Sequence, residues 1–168
     1  MRVVLDTNVL LVSIPTKSRY RPIFDALLDG KFELAISNEV LSEYLEVLER
    51  KANISVAANI AEVLLNCQNV LRTEVFFNWG IIKEDEDDNK FTDCAVAANA
   101  KFIVSNDKHF RILNRLVARG IIKGSKRPFF AHTAPFFGHI APLYSLKKPS
   151  CRQKMTLFSL LADPSQQV

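Results

Sequence analysis

Cysteine is scarce in this chain of 168 residues. Its three cysteines, Cys67, Cys94 and Cys151, are too few and too scattered for a disulfide scaffold or a zinc cluster. Long hydrophobic runs are missing too: no stretch approaches the ~20 apolar residues of a membrane span. Asp6 and Asn8 interrupt the first apolar stretch, and no small-residue cleavage site follows, so no secretory signal is read there. The histidines, His109, His132 and His139, are spread without metal-ligand spacing, and surface or tail roles are expected for them. Glycine is sparse, and no phosphate loop or nucleophile elbow is present. These absences point to a soluble, reduced, cytoplasmic protein with no membrane association.

Hydrophobic residues make up 48% and charged residues 24% of the chain, a globular balance. The length suits one domain with a sizeable core. The net charge of +4 is unevenly spread. Residues 1–112 hold 13 Lys and Arg against 17 Asp and Glu; residues 113–168 hold nine basic residues and one acid, Asp163. An acidic body therefore carries a basic tail.

Along the body, Arg2-Val3-Val4-Leu5 reads as a buried strand closed by a polar helix cap at Asp6-Thr7-Asn8. A short helix over 8–14 stops before Pro15. Ile23, Leu27 and Leu28 share one face of a helix ended by Gly30. A strand is expected at 32–36. Ser37 caps a helix to about residue 50 with a stripe of Val40, Leu41, Tyr44, Leu45 and Leu48. Ser55 is expected to cap the next helix, through Asn66. A third strand falls within 70–77, an acidic loop at 84–89, a small-residue helix to residue 100 and a fourth strand at 102–105. This alternation predicts an α/β fold, a three-layer α/β/α sandwich with a mainly parallel sheet.

Ligands of such sheets bind outside the carboxyl ends of the strands. Asp6 and Asp107 each sit just past the end of a strand, so two distant aspartates can converge. Glu43, Asp88 and Asp93 start from helices near the same edge. Carboxylates so close cannot all ionise unaided, and a hard divalent cation resolves the conflict. Oxygen ligands without clustered His or Cys point to Mg²⁺ or Mn²⁺. Such an ion suits phosphodiester hydrolysis. Each residue also has a plainer reading. Asp6 and Asp107 can simply cap the turns that follow them. Glu43 lies among Glu39, Glu46 and Glu49, a solvated acidic face, although it borders the apolar stripe. Asp88 is either ligand or helix cap. Asp93 stands on an apolar helix, where a lone carboxylate is costly without a partner. Thr7, Asn8, Ser105 and Asn106 either orient the site or satisfy loop backbone. Cys94 reads as core. Val9, Leu10 and Leu11 read as core or as a dimer contact.

The order of these pieces resembles the PIN domain. Asp6-Thr7-Asn8-Val9-Leu10 is similar to that family's opening motif. Ser37 to Leu48, with Glu43-Tyr44, resembles its second acidic motif. Asp88 to Ala95, and Phe102 to Asp107, resemble its third and fourth. The Tyr20-Arg21-Pro22-Ile23 segment is similar to the VapC-like subgroup, toxins of toxin–antitoxin systems. The resemblance covers about residues 1–115. It implies a Mg²⁺- or Mn²⁺-dependent ribonuclease, commonly a homodimer, held inactive by a cognate antitoxin. It also implies an acidic quartet of Asp6, Glu43, Asp93 and Asp107, with Asp88 and Asp93 competing for the third place. A housekeeping RNA-processing nuclease is the other enzymatic reading.

Relatives close with a short final strand and helix, which the sequence past residue 116 does not display. Residues 117–168 read instead as an atypical basic tail, expected to be poorly ordered, with four of the chain's seven prolines before residue 150. It is either an RNA-contacting arm or an ending without an evolved role, such as a shifted reading frame leaves. On the second reading the last sheet strand would be missing. The protein would then be an inactive or degraded relative that only binds antitoxin or RNA.

Overall fold

A computed structural model describes residues 1–113 and the backbone of 130–131. Strand β1 (Arg2–Leu5) runs through the middle of the core. Val3, Val4 and Leu5 are all fully buried. Successive strand residues point to opposite faces, so both faces of the sheet are covered by helices. Helix α1 (Thr7–Ser13) follows at once, and α2 (Arg21–Leu28) comes after a short turn. Helix α2 ends as expected at Gly30, whose φ of +67° suits a residue without a Cβ.

Strand β2 (Glu33–Ile36) leads through Ser37 into α3 (Asn38–Lys51). The Ser37 hydroxyl accepts the Val40 N–H at 3.2 Å, the expected cap. Helix α4 (Ile54–Asn66) is capped by Asn53, whose side chain accepts the Val56 N–H at 2.8 Å. The expectation of Ser55 as cap is thus corrected by two residues: an Asn serves an N-cap as well as a Ser.

Strand β3 (Val70–Arg72) falls within the expected 70–77 and fills its first three positions. Its partner β2 ends at Ile36, opposite Arg72, and the Thr73 N–H takes the last free carbonyl there. Beyond that point no strand is left to pair with. Helix α5 (Asn89–Ala97) closes with Asn99 at φ 51°, and strand β4 (Phe102–Val104) follows. A two-residue strand β5 (Phe130–Ala131) pairs with β4. The sheet order is β3-β2-β1-β4-β5 and every pairing is parallel. The fold is the three-layer α/β/α sandwich expected. The sheet therefore extends past the body at β5. The remainder of the basic tail, with its prolines and most of its phenylalanines, lies outside the described residues.

Candidate active site

The chain leaves β1 for β2 on one side and returns at β4 on the other, so the strand order reverses at β1. Ligands of open parallel sheets bind at such a reversal, beyond the carboxyl ends of the strands. Leu5 and Val104 are paired at the last rung, which puts Asp6 beside Ser105. Asp6 is 5% exposed. One of its oxygens accepts the Asn8 N–H at 3.0 Å, and the other accepts the Ser105 hydroxyl. The same Ser105 oxygen accepts the Asp107 N–H at 2.8 Å. Asp107 Oδ1 in turn accepts the His109 N–H at 2.9 Å and caps a 3₁₀ turn over Lys108–Phe110. Asp6 and Asp107 are caps and cleft residues at once, because each cap leaves carboxylate surface facing the cleft.

Helix α3 brings Glu43 to the same place. The Thr7 hydroxyl donates to Glu43 Oε1 at 2.6 Å, and Lys90 Nζ pairs with Oε2 at 2.9 Å. Tyr44, one position on, points into the core and donates its hydroxyl to the Leu5 carbonyl. Asn8 faces Lys51 Nζ at 3.5 Å. Asp88 stands at the N-cap of α5 without a capping hydrogen bond from its side chain. Asn89 anchors the loop before it, accepting the Ile82 N–H and donating to the Ile82 and Glu86 carbonyls at 2.8–3.1 Å. Asp6, Glu43, Asp88 and Asp107 line one cleft of about 350 Å³, together with Asp85, Asp87 and Lys90.

The electrostatics are those of crowded acids. Burial raises the Asp6 pKa; its Ser105 and Asn8 hydrogen bonds oppose the rise, while Glu43 and Asp107 add to it. Asp88 is pushed up to about 7, first by burial and then by Asp85, Asp6 and Asp107, with His109 opposing. For Lys90, burial works against the charge, but its bond to Glu43 and the surrounding acids leave its pKa raised. Asp88 Oδ2 and His109 Nδ1 are buried, 3.7 Å apart, and have no hydrogen-bond partner. Asp85, Asp88 and His109 each offer a donor atom, and these atoms lie within 4.8 Å of one another. Two orphaned buried donors among mutually repelling carboxylates fit a divalent cation.

The sequence-predicted residues divide into two groups. Asp6, Glu43, Asp88 and Asp107 meet in one cleft, with Thr7 and Ser105 holding carboxylates there and Asn8 at its wall. Asn106 is exposed between Ser105 and Asp107. Asp93 faces elsewhere: it lines a neighbouring, wider cleft, and its Oδ1 accepts the Trp79 N–H at 3.0 Å. Asp93 lies five residues, about 1.4 helical turns, beyond Asp88, enough to turn the carboxylate off the Asp6 side. Of the two competitors, Asp88 is the one placed beside Asp6 and Asp107. His109 was expected in a surface role, yet its ring faces Asp88 and Asp107. The signal was its spacing two residues after Asp107, within a turn that Asp107 caps. Lys90 and Asn89 were also missed as site residues. Cys94 is core as expected; burial lifts its thiol to about 12. Val9 and Leu10 are core as well.

The all-parallel sheet thus gathers four acids at its β1/β4 reversal. Residues 2–109 match the PIN domain, and the chain belongs to that family. Among solved structures it is similar to a chain of VapBC2 from Rickettsia felis bound to a DNA fragment from their promoter. That likeness has 17% identity and a TM-score of 0.50, and covers 79% of this chain and 98% of the other. A comparison with curated proteins returns no match.

Proposed function

We propose that this protein is a metal-dependent endoribonuclease, hydrolysing RNA phosphodiester bonds as the toxin of a toxin–antitoxin pair. One observation carries the reading: Asp6, Glu43, Asp88 and Asp107 converge from four separate elements on the cleft at the strand reversal. Asp6, Asp88 and Asp107 would hold Mg²⁺ or Mn²⁺, with His109 and Asp85 within reach. A cation there supplies charge neutralisation for a phosphate and acidifies water for attack. The chain's own residues do the rest. Ser105 fixes both Asp6 and Asp107. Thr7 orients Glu43, which is placed to accept a proton. Lys90 offers a positive charge to a phosphate oxygen and releases Glu43 as it does so.

Membership of the PIN family supports nuclease chemistry. The likeness to VapBC2 supports the pairing with an antitoxin, and the family resemblance supports a homodimer. No described helix is long and apolar enough to cross a membrane. The test is cleavage of an RNA panel by purified protein, with and without Mn²⁺, beside Asp6→Asn. Metal-dependent cutting by the wild type and its loss in the variant are expected. Equal cutting by both overturns the site assignment. RNA retention without cutting under any metal points to the inactive, binding-only protein.

A further inference from the structure

Helix α4 is more apolar than its place in the fold requires. Only Glu62 is charged among its thirteen residues. Ala57, Ile60 and Leu64 are buried on the side where α4 packs on α3 and β3. At ~100° per residue, however, the apolar residues span roughly 220° of the helix, from Val63 round to Ala58. A surface helix needs a stripe of only ~100° to cover a core. The excess is a second stripe beside the first. Ile54 is 74% and Leu65 52% exposed, with Ala58 exposed and Ala61 half-buried between them. No residue of α4 lines either of the two clefts.

This second stripe reads the same in both directions: large, small, small, large, at spacings of four, three and four residues. An isologous contact about a two-fold axis asks for that, since residue i meets j while j meets i. With two α4 helices antiparallel, Ile54 meets Leu65 of the second copy and Ala58 meets Ala61. The alanines let the helix axes come close. The same register sets Glu62 opposite Ala57, so no like charges face each other. That matters for a body that is net negative over residues 1–112 and repels its own copy except across an uncharged surface. The flank continues past α4. Strand β3 is the outermost strand, and the segment after it exposes Phe76, Phe77 and Trp79 at 88%, 63% and 52%. The Thr73 N–H on the Ile36 carbonyl at 2.8 Å and the Trp79 N–H on Asp93 at 3.0 Å anchor that segment, so the rings are displayed from a held backbone. At roughly 150–250 Å² for each aromatic side chain, the three show on the order of 400 Å². Together with the stripe on α4, this approaches the ~800 Å² that each partner gives to a stable interface.

We propose that the outer stripe of α4 and the aromatic segment after β3 form the interface between two copies of this chain, with the α4 helices antiparallel about a two-fold axis. The homodimer of the functional reading is thereby given a surface. The surface rests on apolar faces and self-complementary spacing, and the cleavage chemistry plays no part in it.

The test is sedimentation velocity of the full chain over a wide range of concentration, where a dimer is expected. Ile54→Glu and Leu65→Lys each set a bare charge against apolar side chains of the second copy. Each should weaken the dimer at least about tenfold. Both positions are exposed in the single chain, so the variants keep their fold, and a melting curve confirms it. In the double variant the new acid of one copy meets the new base of the other at both ends of the contact, and the dimer returns. A parallel pairing of α4 would set acid on acid and base on base and give no recovery. Replacing Phe76 and Phe77 together by Ser should also loosen the dimer. A monomeric wild type, which leaves the face to a different protein, overturns the proposal. So does a dimer that ignores either single charge or the loss of the two rings, or a double variant no better than the singles. RNA cleavage by a wild type that stays monomeric sinks this interface and leaves the nuclease standing. A dimer that follows the expected pattern without cleaving RNA does the reverse.

Discussion

The Ser105 hydroxyl donates to the Asp6 carboxylate across 99 positions of sequence, and its oxygen accepts the Asp107 N–H. One buried side chain thus ties the ends of β1 and β4 together and sets the spacing of the two strand-end aspartates. Its bond also works against the burial that raises the Asp6 pKa.

Ser105→Ala removes both bonds and leaves a buried carboxylate with one partner fewer. A loss of about 1–3 kcal/mol in urea unfolding is expected. Ser105→Thr keeps the oxygen and should recover part of it. Metal binding, followed by calorimetry, should weaken in the alanine variant because Asp6 becomes harder to ionise. An alanine variant as stable as the wild type would show that the strand ends are held by something else.

Asp88 gives a pH dependence with a definite sign. Its folded pKa of about 7 lies above the ordinary carboxylate value, so the unfolded chain gives up the proton first as pH rises. The penalty on the folded state is absent below about pH 4, grows between there and pH 7, and is complete above it. In EDTA, Asp88→Asn should therefore be more stable than the wild type at pH 8, by about 1–2 kcal/mol once solvent screening of a half-buried group is allowed for. The difference should vanish at pH 3.5. Adding Mn²⁺ at pH 8 should reverse the order, since only the wild type gains the ligand. Thermal melts across pH, with and without metal, measure all three.

Much of this was legible in the sequence. The strand at 2–5 with its capping Asp6, the Ser37 cap and stripe of α3, and the strand before Ser105 announced themselves by period and punctuation. The parallel sheet then put Asp6 and Asp107 together without further help. The choice between Asp88 and Asp93 was harder, because both suit a helix near the right edge and only the turn at which α5 begins decides which carboxylate faces Asp6. His109 was hidden for a related reason: its role comes from a 3₁₀ turn that folds it back over Asp107, and composition carries no trace of that. The early end of β3 was set by the length of its partner, β2, and not by its own β-rich sequence.

His109 Nδ1 lies 3.2 Å from Asp107 Oδ1 and 3.7 Å from Asp88 Oδ2 without hydrogen-bond geometry to either. A nitrogen donor in a set of oxygens favours Mn²⁺ over Mg²⁺. His109→Ala should therefore weaken Mn²⁺ binding more than Mg²⁺ binding, by several-fold in the ratio of dissociation constants. It should also raise the Asp88 pKa, because the ring's effect there is to lower it. Titration calorimetry with each metal at pH 7.5 makes the comparison. A parallel loss for both metals would leave His109 a role in charge and none in coordination.

Asn89 makes three hydrogen bonds to the backbone of residues 82 and 86 and so closes the loop that carries Asp85 and Asp88. Asn89→Ala leaves the Ile82 N–H and carbonyl without that partner, while the Glu86 carbonyl keeps the backbone N–H of residue 89, at a cost of about 1–3 kcal/mol. The loss should be largely local, because the side chain ties a loop to itself and leaves the sheet untouched. Hydrogen exchange should therefore quicken over residues 82–89 while the amides of β1 and β4 keep their protection. Mn²⁺ should bind more weakly, since two of its donors then have to be ordered at the moment of binding. If exchange rose uniformly across the sheet, Asn89 would be a keystone of the whole fold, and the loop would be no separate unit.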